Sequence, residues 1–121
     1  MYEGGTREPL IVRWPGHVAA GSRCEVPVSS PDFFPTLAQI AGAEVPDGVE
    51  GESLLPLFTG EAQALKREAI FWHYPHYGNQ GGTPGSSIRA GDWKLIEFFE
   101  DGRIELYNLR DDIRGRAQRR G

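Results

Sequence analysis

Apolar and polar positions along the chain divide it into an irregular first half and a strand-rich second half. Leu10-Ile11-Val12-Arg13-Trp14 is a short apolar run stopped by Pro15-Gly16, and it reads as a buried strand. Arg23 to Val28 is a weaker extended stretch that Pro27 places at a sheet edge or brings to an end. Phe33, Leu37, Ile40 and Ala41 recur at helical spacing. Ser30-Pro31-Asp32 supplies the start of that helix and Gly42 its stop. Pro35 falls in the first turns, where its missing N–H costs little. Ser53 to Phe58 fits one further helical turn, closed by Thr59-Gly60.

From Ala69 the pattern changes to antiparallel β. Ala69 to Tyr74 is rich in β-formers and ends at Pro75. A glycine-rich loop runs from Gly78 to Gly85, followed by strands at Ser87-Ile88-Arg89 and Trp93 to Phe99. Glu100-Asp101-Gly102-Arg103 is a hairpin signal, because Asp-Gly supplies the positive φ that a tight turn needs. Ile104 to Tyr107 is the return strand. Three or four antiparallel strands packed on one helix make a small α+β layer. Residues 1–30 and 67–109 are assigned to different sheets.

Composition adds little beyond an ordinary globular chain, except that 16 Gly and 9 Pro in 121 residues predict short elements and many loops. Charge is uneven. Residues 1–109 hold 8 Lys/Arg against 15 Asp/Glu, and residues 110–121 hold 5 Arg against 2 Asp. An acidic body argues against nucleic acid as a partner. No apolar run approaches the length of a membrane span. Met1 to Gly5 has neither the basic nor the apolar region of a signal peptide, and the sequence leaves the compartment unassigned. The single cysteine, Cys24, is read as a small, partly buried apolar side chain.

Four stretches stand in order along the chain. They are Tyr2 to Pro9 with Trp14-Pro15-Gly16; Ser30 to Leu37 with Ala41-Gly42; Gly51 to Leu57; and Ile88 to Leu95 with Leu106-Tyr107-Asn108-Leu109. Together they resemble the C-terminal part of the arylsulfatase-type sulfatases, within the alkaline-phosphatase-like superfamily, over residues 1 to about 112. The resemblance implies an α/β fold. Residues 1–66 would end a large α/β domain, 67–109 would form a small antiparallel subdomain packed on a helix, and 110–121 would be a basic, disordered tail. It also implies a parent enzyme that hydrolyses sulfate esters of sugars or aryl alcohols. Such an enzyme uses a formylglycine made from Cys/Ser-X-Pro-X-Arg, a divalent cation, usually calcium, and a sulfate-contacting lysine shortly before Glu-Gly-Gly.

None of those parts is legible in this chain. Cys24 has proline at +3 and no arginine at +4, while Ser29 has Pro31 at +2 but Phe33 where arginine is required. Asp111-Asp112 follows the Tyr-Asn-Leu stretch and reads as a turn. The lysine would lie before Met1. No oxygen-rich ligand set for calcium can be assembled. The expectation is therefore a fragment without catalytic residues, metal or cofactor of its own, inert alone. Its partners would be the missing N-terminal catalytic part and a sulfated small molecule or glycan. A non-catalytic module that binds sulfated glycans and the C-terminal part of a related phosphoryl hydrolase are the alternatives.

What such a chain would contribute is a pocket wall. His73 and His76 stand at a strand end beside the glycine-rich loop, where imidazoles suit a sugar or aryl sulfate; half-buried structural histidines fit the pattern as well. Tyr77 is a further candidate through its phenol, although it and Tyr74 read more simply as packing. Arg89 matches oxyanion geometry and equally fits a strand-surface salt bridge. Glu3 and Arg7 flank the glycine turn, as supports for an anion site or as a buried ion pair. Asp32 is read as a helix-start residue, Trp93 as strand packing and Lys94 as a solvated charge.

Overall fold

The computed structural model describes residues 1–79 and 81–113. The chain forms two compact units: Met1–Pro9 together with the chain from Glu68 onward, and Leu10–Arg67.

The first unit is built on a four-stranded antiparallel meander, β1 (Ala69–Tyr74), β2 (Gly85–Ala90), β3 (Trp93–Phe98) and β4 (Ile104–Asn108), in sequential order. The turn between β2 and β3 uses Gly91 at φ +56°, and the β3–β4 hairpin uses Gly102 at φ +67°, as its Asp-Gly sequence predicts. Register sets Phe71 opposite Ile88, His73 opposite Ser86, Ser86 opposite Glu97 and Leu95 opposite Leu106. Because side chains alternate, these residues share one face of the sheet. Trp72, Arg89, Lys94, Ile96, Phe98, Glu105 and Tyr107 share the other.

That second face is the inner one. Ile96, Phe98 and Tyr107 form the core with Leu109, and Met1 packs against it. Met1–Pro9, with the short helix α1 (Glu3–Thr6), belongs to this unit through long-range bonds. Tyr2 Oη donates to Glu105 Oε2 at 2.8 Å and Lys94 reaches Glu3. At the start of β2 a Cβ on Gly85 would lie 2.5 Å from the Glu97 carbonyl oxygen and 2.6 Å from the Met1 side chain, so only glycine fits there.

The second unit contains a 3-10 turn (Ser30–Asp32), α2 (Phe33–Ile40) and α3 (Leu55–Thr59). The Ser29 N–H donates to Asp32 Oδ2 at 2.7 Å, which starts the helical segment as its sequence predicts. Gly42 and Gly60 take the left-handed conformation after the helices. Two extended stretches differ from expectation. Neither Leu10–Trp14 nor Arg23–Val28 forms a strand, because no second strand lies beside either one within the unit; Ile11 is 87% exposed. Cys24 is exposed rather than partly buried, in a stretch that forms no helix or strand. The apolar positions at helical spacing, Phe33, Leu37, Ile40 and Ala41, are exposed as well, and the buried residues of α2 are Pro35 and Thr36.

One buried cluster holds this unit together. Arg67 donates from both terminal nitrogens to Asp32 at 2.6 Å, and the Glu52 N–H adds 3.0 Å to Asp32 Oδ1. The Glu52 carboxylate in turn accepts the N–H groups of Lys66 and Arg67, each at 2.8 Å. Thr36 Oγ1 accepts the N–H of fully buried Leu54 at 2.8 Å. Asp32 thus does more than begin a helix: it ties residues 29, 52 and 67 to one point. Burial pushes its carboxyl up, but the bonds from Arg67, Ser29 and Glu52 outweigh that and hold it below the usual carboxylate value.

Candidate functional site

The sequence candidates fall on opposite faces of the sheet. His73 lies on the open face. Its Nδ1 and Ser86 Oγ share a hydrogen bond at 2.8 Å, and its ring lies 5.5 Å from that of Phe99. The strand register explains the pair, since Ser86 is the cross-strand partner of His73. Phe71, two residues before His73, projects from the same face and is exposed. Phe71, His73, Ser86, Ile88, Leu95 and Glu97 line a shallow groove of about 430 Å³. It offers an aromatic ring, an imidazole, a hydroxyl and a carboxylate along an otherwise apolar floor. Sugars are recognised by such a mixture of ring contacts and a few placed polar groups.

His76 and Tyr77 lie beyond the end of β1. His76 meets Tyr74 edge-on, with ring centroids 5.5 Å apart. Tyr77 does not pack as expected. It is exposed, and its phenol donates to Glu100 Oε1 at 2.9 Å, a bond that raises its pKa. Tyr74 is exposed too. Tyr74 ends an edge strand and Tyr77 follows it. Trp93, expected to pack, is 40% exposed on the open face.

Glu3, Arg7 and Arg89 come together on the inner face. Here Lys94 corrects its sequence reading. It is 1% exposed, not solvated, because its ammonium donates to Glu3 Oε1 and Thr6 Oγ1, both at 2.8 Å, and lies 5.1 Å from the centre of the Trp72 ring. Glu3 and Arg7 are not the buried pair expected, because the Arg7 side chain is 41% exposed. Arg7 Nη1 stands 3.8 Å from Glu3 Oε2 and Arg89 Nη1 stands 3.9 Å from the same atom. Arg89 thus lies within ion-pair distance of Glu3, on the inner face rather than at the strand surface where a salt bridge was expected. Oε2 itself is buried and accepts no hydrogen bond from the described residues. Neither Arg89 nor Glu3 faces the His73 groove.

Sequence reading missed Phe71, Ser86, Glu97 and Lys94. The first three were within reach, because alternation from His73 and the hairpin register select them. Lys94 was not, because its partner is 91 residues away.

Among the described residues, no three His, Cys, Asp or Glu side chains converge in a way that could hold a metal ion. Nor does any helix of the described residues reach the length and apolarity of a membrane span.

The described residues form a four-stranded antiparallel sheet and a few short helices, a mixed α/β piece. The family profile described as "N-sulphoglucosamine sulphohydrolase, C-terminal" matches residues 1–117, and the chain belongs to this sulfatase family. It is 38% identical to a sulfatase of Formosa agariphila over 93% of this chain and 22% of that protein. To an N-acetylglucosamine-6-O-sulfatase of Bacteroides thetaiotaomicron it is 37% identical, over 94% of this chain and 21% of the relative. A solved structure of a protein in complex with its substrate D-glucosamine-2-N,6-O-disulfate superposes with a TM-score of 0.71 at 34% identity, covering 87% of this chain and 22% of that one. The chain thus spans about a fifth of the length of its relatives.

Proposed function

We propose that this chain is the C-terminal portion of a sulfatase that removes sulfate from a sulfated amino sugar, and that it supplies a wall of the sugar pocket rather than the reacting groups. The observation that carries the proposal is the His73–Ser86 pair beside Phe71 in the open groove. Ser86 fixes one imidazole nitrogen and leaves the other to meet a sugar hydroxyl. Phe71 offers its ring to the apolar face of the sugar. His76 and Tyr77 extend the wall beyond the strand end. The glucosamine chemistry named for the relatives supports the choice of sugar.

The chemical step belongs to the rest of the polypeptide. Formylglycine supplies the nucleophile in sulfatases, and calcium neutralises the sulfate charge. Among the described residues no group of carboxylates and imidazoles fits a calcium site. This chain orients the substrate and, by itself, leaves sulfate esters intact.

Two measurements test the proposal on the purified 121-residue chain. Incubation with a chromogenic aryl sulfate and calcium releases no phenol. Titration with glucosamine 6-sulfate, followed by NMR, moves the resonances of Phe71, His73 and Ser86. Release of phenol, or a titration that leaves those three unmoved, overturns the proposal.

A further inference from the structure

We infer that Arg7 and Arg89 form a seat for a tetrahedral oxyanion, a sulfate group free or esterified, on the face of the sheet opposite the His73 groove. The cluster holds three cations, Arg7, Arg89 and Lys94, around one carboxylate, Glu3. Lys94 already satisfies that carboxylate, at 2.8 Å to Oε1. The two guanidiniums are therefore in electrostatic excess.

Their geometry is unsaturated too. Each approaches Glu3 Oε2 only to 3.8 or 3.9 Å, outside hydrogen-bond range. Arg89 otherwise makes one long bond, Nε to the Gly91 carbonyl at 3.5 Å. Among the described residues, most N–H groups of both side chains have no hydrogen-bond acceptor. Both converge on one atom, close enough for a single sulfate to touch each fork, and a guanidinium presents paired donors that match two oxygens of such an anion. Access exists, since the Arg7 and Arg89 side chains are 41% and 19% exposed. The buried Glu3–Lys94 pair beneath fixes the base of the seat. Glu3 repels an incoming anion, but three cations against one carboxylate leave the balance attractive.

The seat is independent of the groove, so the two readings fail separately. The test is an NMR titration of the full chain with sodium sulfate against sodium chloride of equal ionic strength, observing the arginine Nε–H resonances. Sulfate is expected to move Arg7 and Arg89 saturably while His73 stays in place, and chloride to move neither. Arg89→Gln and Arg7→Gln, at partly exposed positions, are each expected to weaken sulfate binding at least tenfold while keeping the dispersed sheet spectrum. Glucosamine 6-sulfate in place of sulfate shows whether the seat accepts an ester: binding at Arg89 by both identifies a ligand-sulfate site, and by free sulfate alone a product-ion site. Equal shifts in chloride, no saturation, or undiminished binding in both variants overturns the inference.

Discussion

The Lys94 ammonium lies 2.8 Å from Glu3 Oε1, joining the middle of the sheet to the N-terminal segment across 91 residues of chain. Both groups are shielded from water, at 1% and 9% exposure. Removing one partner of such a pair leaves the other buried without its match. Lys94→Met is therefore expected to destabilise the sheet unit by about 3 kcal/mol, the low end for a broken buried pair, because Arg7 and Arg89 remain near Glu3. Urea unfolding followed by tryptophan fluorescence reads this in a Trp14→Phe background, where Trp72 and Trp93 report on the sheet unit alone. Glu3→Gln in the same background should cost less when Lys94 is already methionine. Strictly additive losses would show that the two residues do not act as a pair.

Asp32 gives the other unit a pH dependence. Its carboxyl is held below its ordinary value of 3.8 when folded, so its contribution is complete above that value. The contribution is lost as pH falls through the depressed folded value. The protection of the Leu54 N–H from hydrogen exchange, relative to the intrinsic rate at the same pH, should fall below pH 3.8, since that N–H is bonded to Thr36 in the same cluster. Asp32→Asn should lower stability at neutral pH by about 3 kcal/mol and flatten this acid limb. An acid limb unchanged in the variant would assign the effect to other carboxylates.

Gly51 tests the close approach of two loops. A Cβ there would lie 2.1 Å from the Pro31 carbonyl oxygen, and the obstacle is backbone. Gly51→Ala is expected to destabilise its unit by about 3 kcal/mol, as overpacking does. Gly48→Ala is the control: its Cβ meets open space, but its φ of +85° strains an alanine, at about 1 kcal/mol. Thermal denaturation of the two variants should rank them in that order, and a Gly51→Ala midpoint equal to that of the parent chain would remove the steric argument.

Local signals carried most of the fold. Ala69–Tyr74, Trp93–Phe98 and Ile104–Asn108 are strands because β-formers sit between strong turn residues, and α2 lies where capping and spacing place it. Leu10–Trp14 misled because an apolar run becomes a strand only beside a partner, and the unit offers none. Half of the groove followed from His73, since register adds Ser86 without further information. The burial of Lys94 and the Asp32–Arg67 bond depend on partners 91 and 35 residues distant, for which the sequence carries no spacing signal. The basic stretch of the tail lies outside the described residues; before it, Arg110 pairs with Asp92.

Glu105 and Tyr107 define the response to alkali. Glu105 is buried and accepts hydrogen bonds from Tyr107 at 2.6 Å and Tyr2 at 2.8 Å, with Arg103 at 2.7 Å. Ionising Tyr107 would place a phenolate in the core next to a carboxylate. Burial first, then the bond and charge of Glu105, push its pKa well above the ordinary 10.0. Tyr2 moves the same way, for burial and for its bond to Glu105. A raised folded value means that the stabilising contribution is complete below pH 10.0 and is lost as pH rises through the raised value. Phenolate absorbance should therefore develop late for part of the 4 tyrosines, together with loss of the sheet's circular dichroism. Glu105→Gln removes the negative neighbour and should shift that late fraction toward the ordinary range. If all 4 tyrosines ionise together near pH 10 while the sheet stays folded, the Glu105 cluster does not restrain them.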